Sequence, residues 1–185
     1  MPAISDAFII SACSAADPAD AIRQVIKESG INPARVQDFI FGADHAGVLN
    51  AAELSREVLI NCPQVTVSSS LRALIFAAHA ILCEDADLML VGGRDNLESA
   101  ALLLASPAVV GIYNLMPLAR IEAHSLVSAE HAIKKAGCPA QDIGIKLEGT
   151  CGVLLTAQLV DQLQEQQVSL GLVRVGAGAI LIERV

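Results

Sequence analysis

The segment from Val65 to Gly93 constrains the fold more than any other part of this sequence. It begins in a short β-type run (64–67) and passes through three consecutive serines into a long apolar stretch. It closes on a second apolar run that ends at Gly92-Gly93. These run lengths predict a strand, a tight turn, a buried helix and a second buried strand. Such a unit is typical of layered α/β proteins whose strands are covered on both faces.

The composition agrees with extensive burial. Of the 185 residues, 54% are hydrophobic, 17% are charged and only 3% are aromatic, and the mean hydropathy is +0.55. An excess of aliphatic over aromatic side chains suits strands buried on both faces and closely packed central helices. A chain of this length can bury roughly 70% of its unfolded surface as one domain. We expect part of the remaining apolar surface to lie at a subunit interface.

The charge excludes two classes of partner. The formal net charge is −8, the isoelectric point is about 4.8, and lysine and arginine form no cluster. Nucleic-acid binding depends on neutralising phosphates, so we expect no DNA or RNA partner. An anionic membrane surface would also repel this chain.

The cysteines and the longest uncharged stretch bear on disulfides, metal sites and membrane segments. The five cysteines follow no Cys-x-x-Cys spacing, which predicts reduced thiols in a cytoplasmic protein and no zinc site. Residues 100–119 carry no charge, but Pro107, Gly111 and Pro117 would interrupt a membrane-spanning helix. We therefore expect no membrane segment, no metal and no cofactor.

Strand and helix patterns alternate along the rest of the chain. The sequence predicts further strands at 7–13, 36–42, 108–113, 143–148, 170–175 and 179–184. It predicts further helices at 17–29, 51–60, 97–105, 121–136 and 151–164. Strands separated by helices of about ten residues favour an α/β fold with mostly parallel pairing. The last two strands are joined by a short glycine-containing loop and could pair antiparallel.

An internal repeat indicates duplication. Residues 26–42 read IKESGINPARVQDFIFG and residues 133–149 read IKKAGCPAQDIGIKLEG. Both contain a helix end, a glycine stop, a Pro-Ala turn, a strand and a terminal glycine. Chance similarity is the alternative, but a duplicated α/β half explains the order better. We expect two halves, residues 1–106 and 107–185, that form one compact domain.

Five segments, in order, resemble the thiolase and β-ketoacyl synthase superfamily. They are AFIISAC, VQDFIFGADHAG, VTVSSSLRALIFAAHAILCEDADLMLVGG, GGRDNLES and GLVRVGAGAILIERV. The resemblance implies a duplicated α-β-α-β-α layered sandwich, here shortened. In particular, the family's loop domain over coenzyme A is reduced to residues 97–107, and the second half lacks one helix–strand step. The resemblance also implies a homodimer formed through the strand Val65–Ser68.

The resemblance further implies where catalytic groups would lie. The family holds the acyl group on a cysteine after the third strand and uses a histidine, a second cysteine and an Asn-Glu-Ala turn for proton transfer and oxyanion stabilisation. Carried onto this sequence, the nucleophile position is Val67 and the histidine position is Lys146. The second cysteine is absent from 168–185, and Glu148 is the acid nearest to the Asn-Glu-Ala position. A valine cannot attack a thioester, so the resemblance supports the fold and argues against the activity.

Weak catalytic candidates remain elsewhere. Cys151 follows Gly149-Thr150 at a predicted helix N-terminus, where the helix dipole can lower a thiol pKa. A small buried residue at a closely packed helix start is the alternative that we favour. His45 lies in a loop, where functional residues concentrate, although loop histidines are more often only exposed.

The serine triplet and the other histidines have structural explanations. Four residues are candidates to line a substrate pocket: Val67, Ser68, Ser69 and Ser70. As nucleophiles the serines would need a base that the sequence does not show. Helix capping and tight packing explain them sufficiently. His79 fits a core or interface position, whereas His124 and His131 fall on a predicted charged helix and are expected to be solvated.

The sequence thus predicts a non-catalytic binding or accessory protein of acyl-thioester metabolism, acting on acyl-CoA or acyl-ACP. One alternative is an acyltransferase, similar to an acetyl-CoA acetyltransferase or a ketoacyl synthase, with Cys151 as a relocated nucleophile. Another is a subunit that completes an assembly with a thiolase-like partner chain.

Overall fold

The computed structural model describes residues 6–43, 50–95 and 97–185. Its strands are β1 (Phe8–Ala15), β2 (Asp38–Ala43), β3 (Gln64–Val67), β4 (Leu88–Arg94), β5 (Ser99–Ala105), β6 (Ala119–Ser125), β7 (Ile145–Gly149), β8 (Leu170–Val175) and β9 (Gly178–Arg184). Its α-helices are α1 (Pro18–Ser29), α2 (Ala51–Glu57), α3 (Ser70–Leu82), α4 (Pro107–Tyr113), α5 (Ala129–Ala136) and α6 (Gly152–Gln166). Single 3₁₀ turns at Pro33–Arg35 and Ala140–Asp142 precede β2 and β7.

The described strands form one mixed sheet in the order β3-β2-β4-β5-β1-β6-β9-β8-β7. Parallel pairing joins β2 to β3, β2 to β4 and β7 to β8, so it lies towards the two ends of the sheet. The five central pairings are antiparallel. The α/β class is confirmed, as is the antiparallel pairing of the last two strands. The expectation of mostly parallel pairing holds only at the ends, because short connections join β4 to β5 and β8 to β9.

The strand order repeats. Read from the centre outwards, β1-β5-β4-β2 on one side corresponds to β6-β9-β8-β7 on the other, with the same parallel and antiparallel pairings. This correspondence confirms the duplication. The step formed by α2 and β3 has no counterpart between β7 and α6, as the resemblance implies.

The two halves of the sheet enclose the central helices. Helix α3 packs on β2 and β4 and also contacts β9, whereas α6 packs on β7 and β8 and also on β1, β4 and β5. Around them lies one apolar cluster that includes Leu74, Val91, Leu102, Val153 and Ile180. Separate clusters pack α1 and α2 on the outside of one half and α5 on the outside of the other. The order of layers is therefore α-β-α-β-α.

Local signals fix the ends of the outer helices. The Asp17 carboxylate caps α1 by accepting from the Ala19 N–H at 2.8 Å, and Pro18 occupies the first turn. The helix ends at Gly30 with φ +68°, and α5 ends in the same way at Gly137 with φ +68°. The predicted helix–glycine–turn–strand repeat is confirmed at these positions.

Three predicted elements are wrong. Residues 97–105 were expected to be helical but form β5, which is buried along its whole length between β1 and β4 and so shows no alternation. Residues 108–113 were expected to be a strand but form α4, which the Ser106 hydroxyl caps and Pro107 begins. Residues 121–136 divide into β6 and α5, because the Ser125–Ser128 segment turns the chain and Ser128 caps a new helix.

No helix among the described residues has the length and hydropathy needed to cross a membrane.

Candidate functional site

The candidate site lies where the two central helices begin. The carboxyl ends of β2, β3 and β4 converge on the N-terminus of α3, and the carboxyl ends of β7 and β8 lie at the same end of the molecule, near the N-terminus of α6. Ligands of α/β sheets bind preferentially at such strand ends, where helix N-termini contribute partial positive charge. We name residues Val67–Ser70 the elbow turn, since they connect β3 to α3.

Val67 occupies the start of the elbow turn. It is the last residue of β3, pairs with Gly42 of β2, and packs half-buried against the central apolar cluster. Its side chain carries no group that can bond to an acyl carbon or move a proton. Ser68 is exposed. Ser69 is the N-cap of α3, but its hydroxyl makes no capping hydrogen bond.

Ser70 joins the two central helices. Its side chain is fully buried, and its hydroxyl oxygen accepts from the Gly152 N–H at 2.8 Å. The backbones are close here, since a Cβ on Gly152 would lie 2.7 Å from the Leu71 Cα, and one on Gly93 would lie 2.7 Å from the Ser70 Cβ. The third serine of the triplet therefore holds the start of α6 against the start of α3.

Replacing Ser70 with alanine is expected to destabilise the protein by about 1–3 kcal/mol, because the buried Gly152 N–H loses its acceptor. Ser69→Ala is the matched control, since no helix N–H depends on that hydroxyl. Urea unfolding of both variants measures the difference. Equal midpoints for the two variants would show that the Ser70–Gly152 bond is not needed.

Cys151 lies beside this junction. It is the N-cap residue of α6, directly before Gly152, and its side chain is 2% exposed within the central apolar cluster. The structure therefore brings the start of the Cys151 helix to the elbow turn but buries the thiol. His45 lies outside the described residues, in the segment 44–49 that follows β2.

Lys146 and Glu148 lie on β7. Lys146 is exposed, and the Glu148 carboxylate accepts from the Arg174 guanidinium of β8 at 2.8 Å. Both side chains lie on the same face of β7, since they are two residues apart.

Two other thiols are unsuited to nucleophilic chemistry. Burial and the hydrogen bond that Cys13 donates to the Glu28 carboxylate, at 3.0 Å, raise the pKa of Cys13 to about 12. Burial, with a smaller effect of Asp38, raises the pKa of Cys62 to about 11. Both remain protonated at neutral pH, and a thiol must ionise to attack.

A second concave surface lies at the other end of α3. The rings of His79 and His124 lie 5.0 Å apart at 82°, beside a cavity of about 520 Å³. The lining residues are Asp6, His79, Leu82, Arg120, Ile121, Glu122, Ala123, His124 and Lys135. We name it the histidine groove. It is about 13 Å along the helix from Ser70, so it is separate from the elbow turn.

The position of His124 in the histidine groove contradicts one expectation. His124 lies on β6 rather than on a helix and is 8% exposed; burial, with His79 and Lys135 adding positive charge, lowers its pKa to about 4. His79 is exposed, which excludes the core position predicted for it and leaves the predicted interface position as the alternative. The alternation of charged and apolar residues along 119–125 could have indicated a strand, but the contact between His79 and His124 has no local signal.

The charges of the groove are largely paired. The Arg120 guanidinium lies 2.8 Å from the Glu122 carboxylate, 2.5 Å from that of Glu183 and 3.4 Å from that of Asp6. Lys135 donates to the His124 carbonyl at 3.3 Å. Across 6–43, 50–95 and 97–185, no group of three or more His, Cys, Asp or Glu side chains is placed to hold a metal ion.

No family model and no curated protein matches the sequence. Solved structures do match the fold. Human mitochondrial 3-ketoacyl-CoA thiolase in complex with CoA superposes with a TM-score of 0.86 at 12% identity, covering 98% of each chain. The same human enzyme in a second structure gives 0.83 at 12% identity, covering 98% of this chain and 99% of that one. The Acat5 thiolase from Ascaris suum, in complex with coenzyme A, gives 0.82 at 14% identity, covering 97% and 100%.

At such low identity the likeness concerns the fold and not the chemistry. It agrees with the repeated strand order and with the two central helices that meet at Ser70 and Gly152. This chain has a thiolase-like fold.

Proposed function

We propose that this protein binds an acyl thioester, such as an acyl-CoA or acyl-ACP, without catalysing acyl transfer. The observation that carries the proposal is Val67 at the end of β3, where the elbow turn meets the N-terminus of α3. An isopropyl group there can contact an acyl chain but cannot form a thioester. The convergence of two helix N-termini at this end supports binding of a polar or anionic group.

The burial of the neighbouring thiol supports the non-catalytic part of the proposal. Cys151 is 2% exposed and belongs to the central apolar cluster, whereas reactive thiols are partly exposed in electropositive surroundings. The alternative of an acyltransferase with Cys151 as nucleophile would require this side chain to become accessible to the thioester.

Mass spectrometry of the intact protein tests the proposal. After incubation with acetyl-CoA or acetoacetyl-CoA, the native protein is expected to carry no acyl adduct. The Val67→Cys variant is expected to become acetylated, because it restores a thiol at a helix N-terminus next to the bound ligand. Ser68→Cys is the matched control: it adds an exposed thiol one residue away, which iodoacetamide should alkylate but acetyl-CoA should not acylate.

The mass-spectrometry results distinguish non-catalytic binding from acyl transfer. A stoichiometric adduct on the native protein would contradict the non-catalytic proposal, and its position at Cys151 would support the relocated acyltransferase. If iodoacetamide alkylates Val67→Cys but acetyl-CoA does not acylate it, acyl-thioester binding is contradicted.

We also propose a homodimer formed through Val65–Ser68. β3 lies at one end of the sheet, its residues 64–66 are exposed, and Val65 is 52% exposed. The neighbouring helix α3 presents Phe76, which is 45% exposed. Antiparallel pairing of β3 with the same strand of a second copy would cover both the open strand edge and these side chains. We place the boundary between the halves at residues 106 and 107, and the protein in the cytoplasm with its thiols reduced.

A further inference from the structure

The sheet has a second open end at β7. Among the described residues β7 pairs only with β8, because the second half lacks a counterpart of the α2–β3 step. Helix α6 packs on β7, which is the last strand of the sheet among the described residues. An open strand edge exposes unpaired N–H and C=O groups, which proteins cover or protect.

The backbone of β7 is set for strand addition. The Gly144 N–H donates to the Leu170 carbonyl at 3.0 Å, just before the regular ladder in which Ile145 pairs with Gly171. The corresponding start of β2 shows how the strand continues: after an equivalent bond to β4, the Phe39 N–H turns away from β4 and donates to the Pro63 carbonyl at 3.0 Å. Lys146 and Glu148 match Phe39 and Phe41 in the repeat, so their backbone groups are expected to point to the open edge.

The charged side chains of β7 complement those of the same strand in a second copy. In an antiparallel pair of two β7 strands with the two-fold axis at Leu147, Lys146 lies opposite Glu148 of the second copy, and Glu148 lies opposite its Lys146. These are hydrogen-bonded pairs, in which the Cα atoms lie about 5.5 Å apart and the side chains directly opposite one another interact. Moving the axis by one residue would place lysine against lysine or glutamate against glutamate, so charge selects one register.

The pair that Glu148 already makes fits this arrangement. Arg174 lies beside Glu148 on β8, at 2.8 Å, and both side chains share the face that carries Lys146. Across the junction the charges would therefore alternate as Arg174, Glu148 and Lys146 of the second copy. Alternating charges on neighbouring strands stabilise a sheet, and like charges opposite one another destabilise it.

We propose that β7 is a self-association edge, which pairs antiparallel with β7 of a second copy about a two-fold axis at Leu147. The interface is isologous and uses different residues from the proposed β3 dimer. Two isologous interfaces on one chain produce assemblies larger than a dimer. The inference does not depend on acyl-thioester binding, because the elbow turn does not contribute to it.

Charge exchange tests the proposal. Lys146→Glu, which places glutamate opposite glutamate, is expected to weaken self-association by about tenfold or more in low salt, measured by sedimentation velocity and native mass spectrometry. Glu148→Lys should do the same. An equimolar mixture of the two variants should restore association, because each glutamate then meets a lysine. Lys134→Glu, which changes an exposed lysine on α5, is the control for net charge.

A second variant separates the two edges. Val65→Lys is expected to disrupt pairing through β3 and leave pairing through β7 intact, and hydrogen exchange should still show a protected Glu148 amide. Circular dichroism confirms that each variant is folded. The proposal is overturned if Lys146→Glu associates like the native protein, if mixing fails to restore association, or if the Glu148 amide exchanges freely at concentrations where the native protein is oligomeric.

Discussion

Gly42→Ala is expected to destabilise the protein by more than about 3 kcal/mol or to prevent folding. A Cβ at this position would lie 2.1 Å from the Ser70 Cα, 2.4 Å from the Ser70 N and 2.7 Å from the Ser69 carbonyl carbon. These are backbone atoms, so no rotamer change relieves the clash. β2 is held by β3 on one side and β4 on the other, and α3 would have to move away from the sheet.

Gly111→Ala provides the matched control. A Cβ on Gly111, inside α4, would meet no atom within 4 Å, so alanine there is expected to be neutral or to stabilise by about 0.5–1 kcal/mol through its better helix propensity. Urea unfolding followed by circular dichroism measures both variants. If Gly42→Ala unfolds at the native midpoint, the elbow turn does not lie against β2 as described.

Acidification from pH 6.5 to pH 4 is expected to remove about 3 kcal/mol of stability through His124. Burial lowers its folded-state pKa from 6.5 to about 4, with His79 and Lys135 adding to the effect. In this window the unfolded chain binds a proton that the folded chain does not, so stability rises with pH up to about 6.5. Below pH 4 both states are protonated, and His124 contributes no further change.

Comparison of variants isolates this effect from the carboxylates. In His124→Gln the additional loss of stability between pH 6.5 and pH 4 should disappear, whereas His131→Gln, which changes an exposed histidine, should retain the native pH dependence. Urea unfolding at half-unit pH intervals gives the two slopes. Parallel curves for the native protein and His124→Gln would contradict the buried, neutral state of His124.

Helix ends and turns could be predicted from the sequence, because they depend on residues that are neighbours in the chain. The cap at Asp17, the glycine stops at Gly30 and Gly137, and the strand–turn–helix around Ser70 each depend on neighbours in sequence. Elements buried on both faces were less predictable. β5 is apolar throughout because strands lie on both its sides, and such a run cannot be distinguished from a buried helix by its period.

One part of the candidate site could be predicted from the sequence and another part could not. The position of Val67 followed from resemblance, because strand, serines and helix are contiguous. The bond from Gly152 to Ser70 could not be predicted, since it joins residues 82 apart in sequence that meet only when both halves are packed. The same holds for His79 and His124, which belong to a helix of one half and a strand of the other.

The position of α6 has a consequence for biosynthesis. This helix fills the space against β1, β4 and β5, yet its residues are translated well after theirs. A nascent chain that has emerged only as far as β5 therefore carries an apolar surface with no partner on the ribosome. Until residue 166 has left the exit tunnel, that surface is open to chaperones and to aggregation.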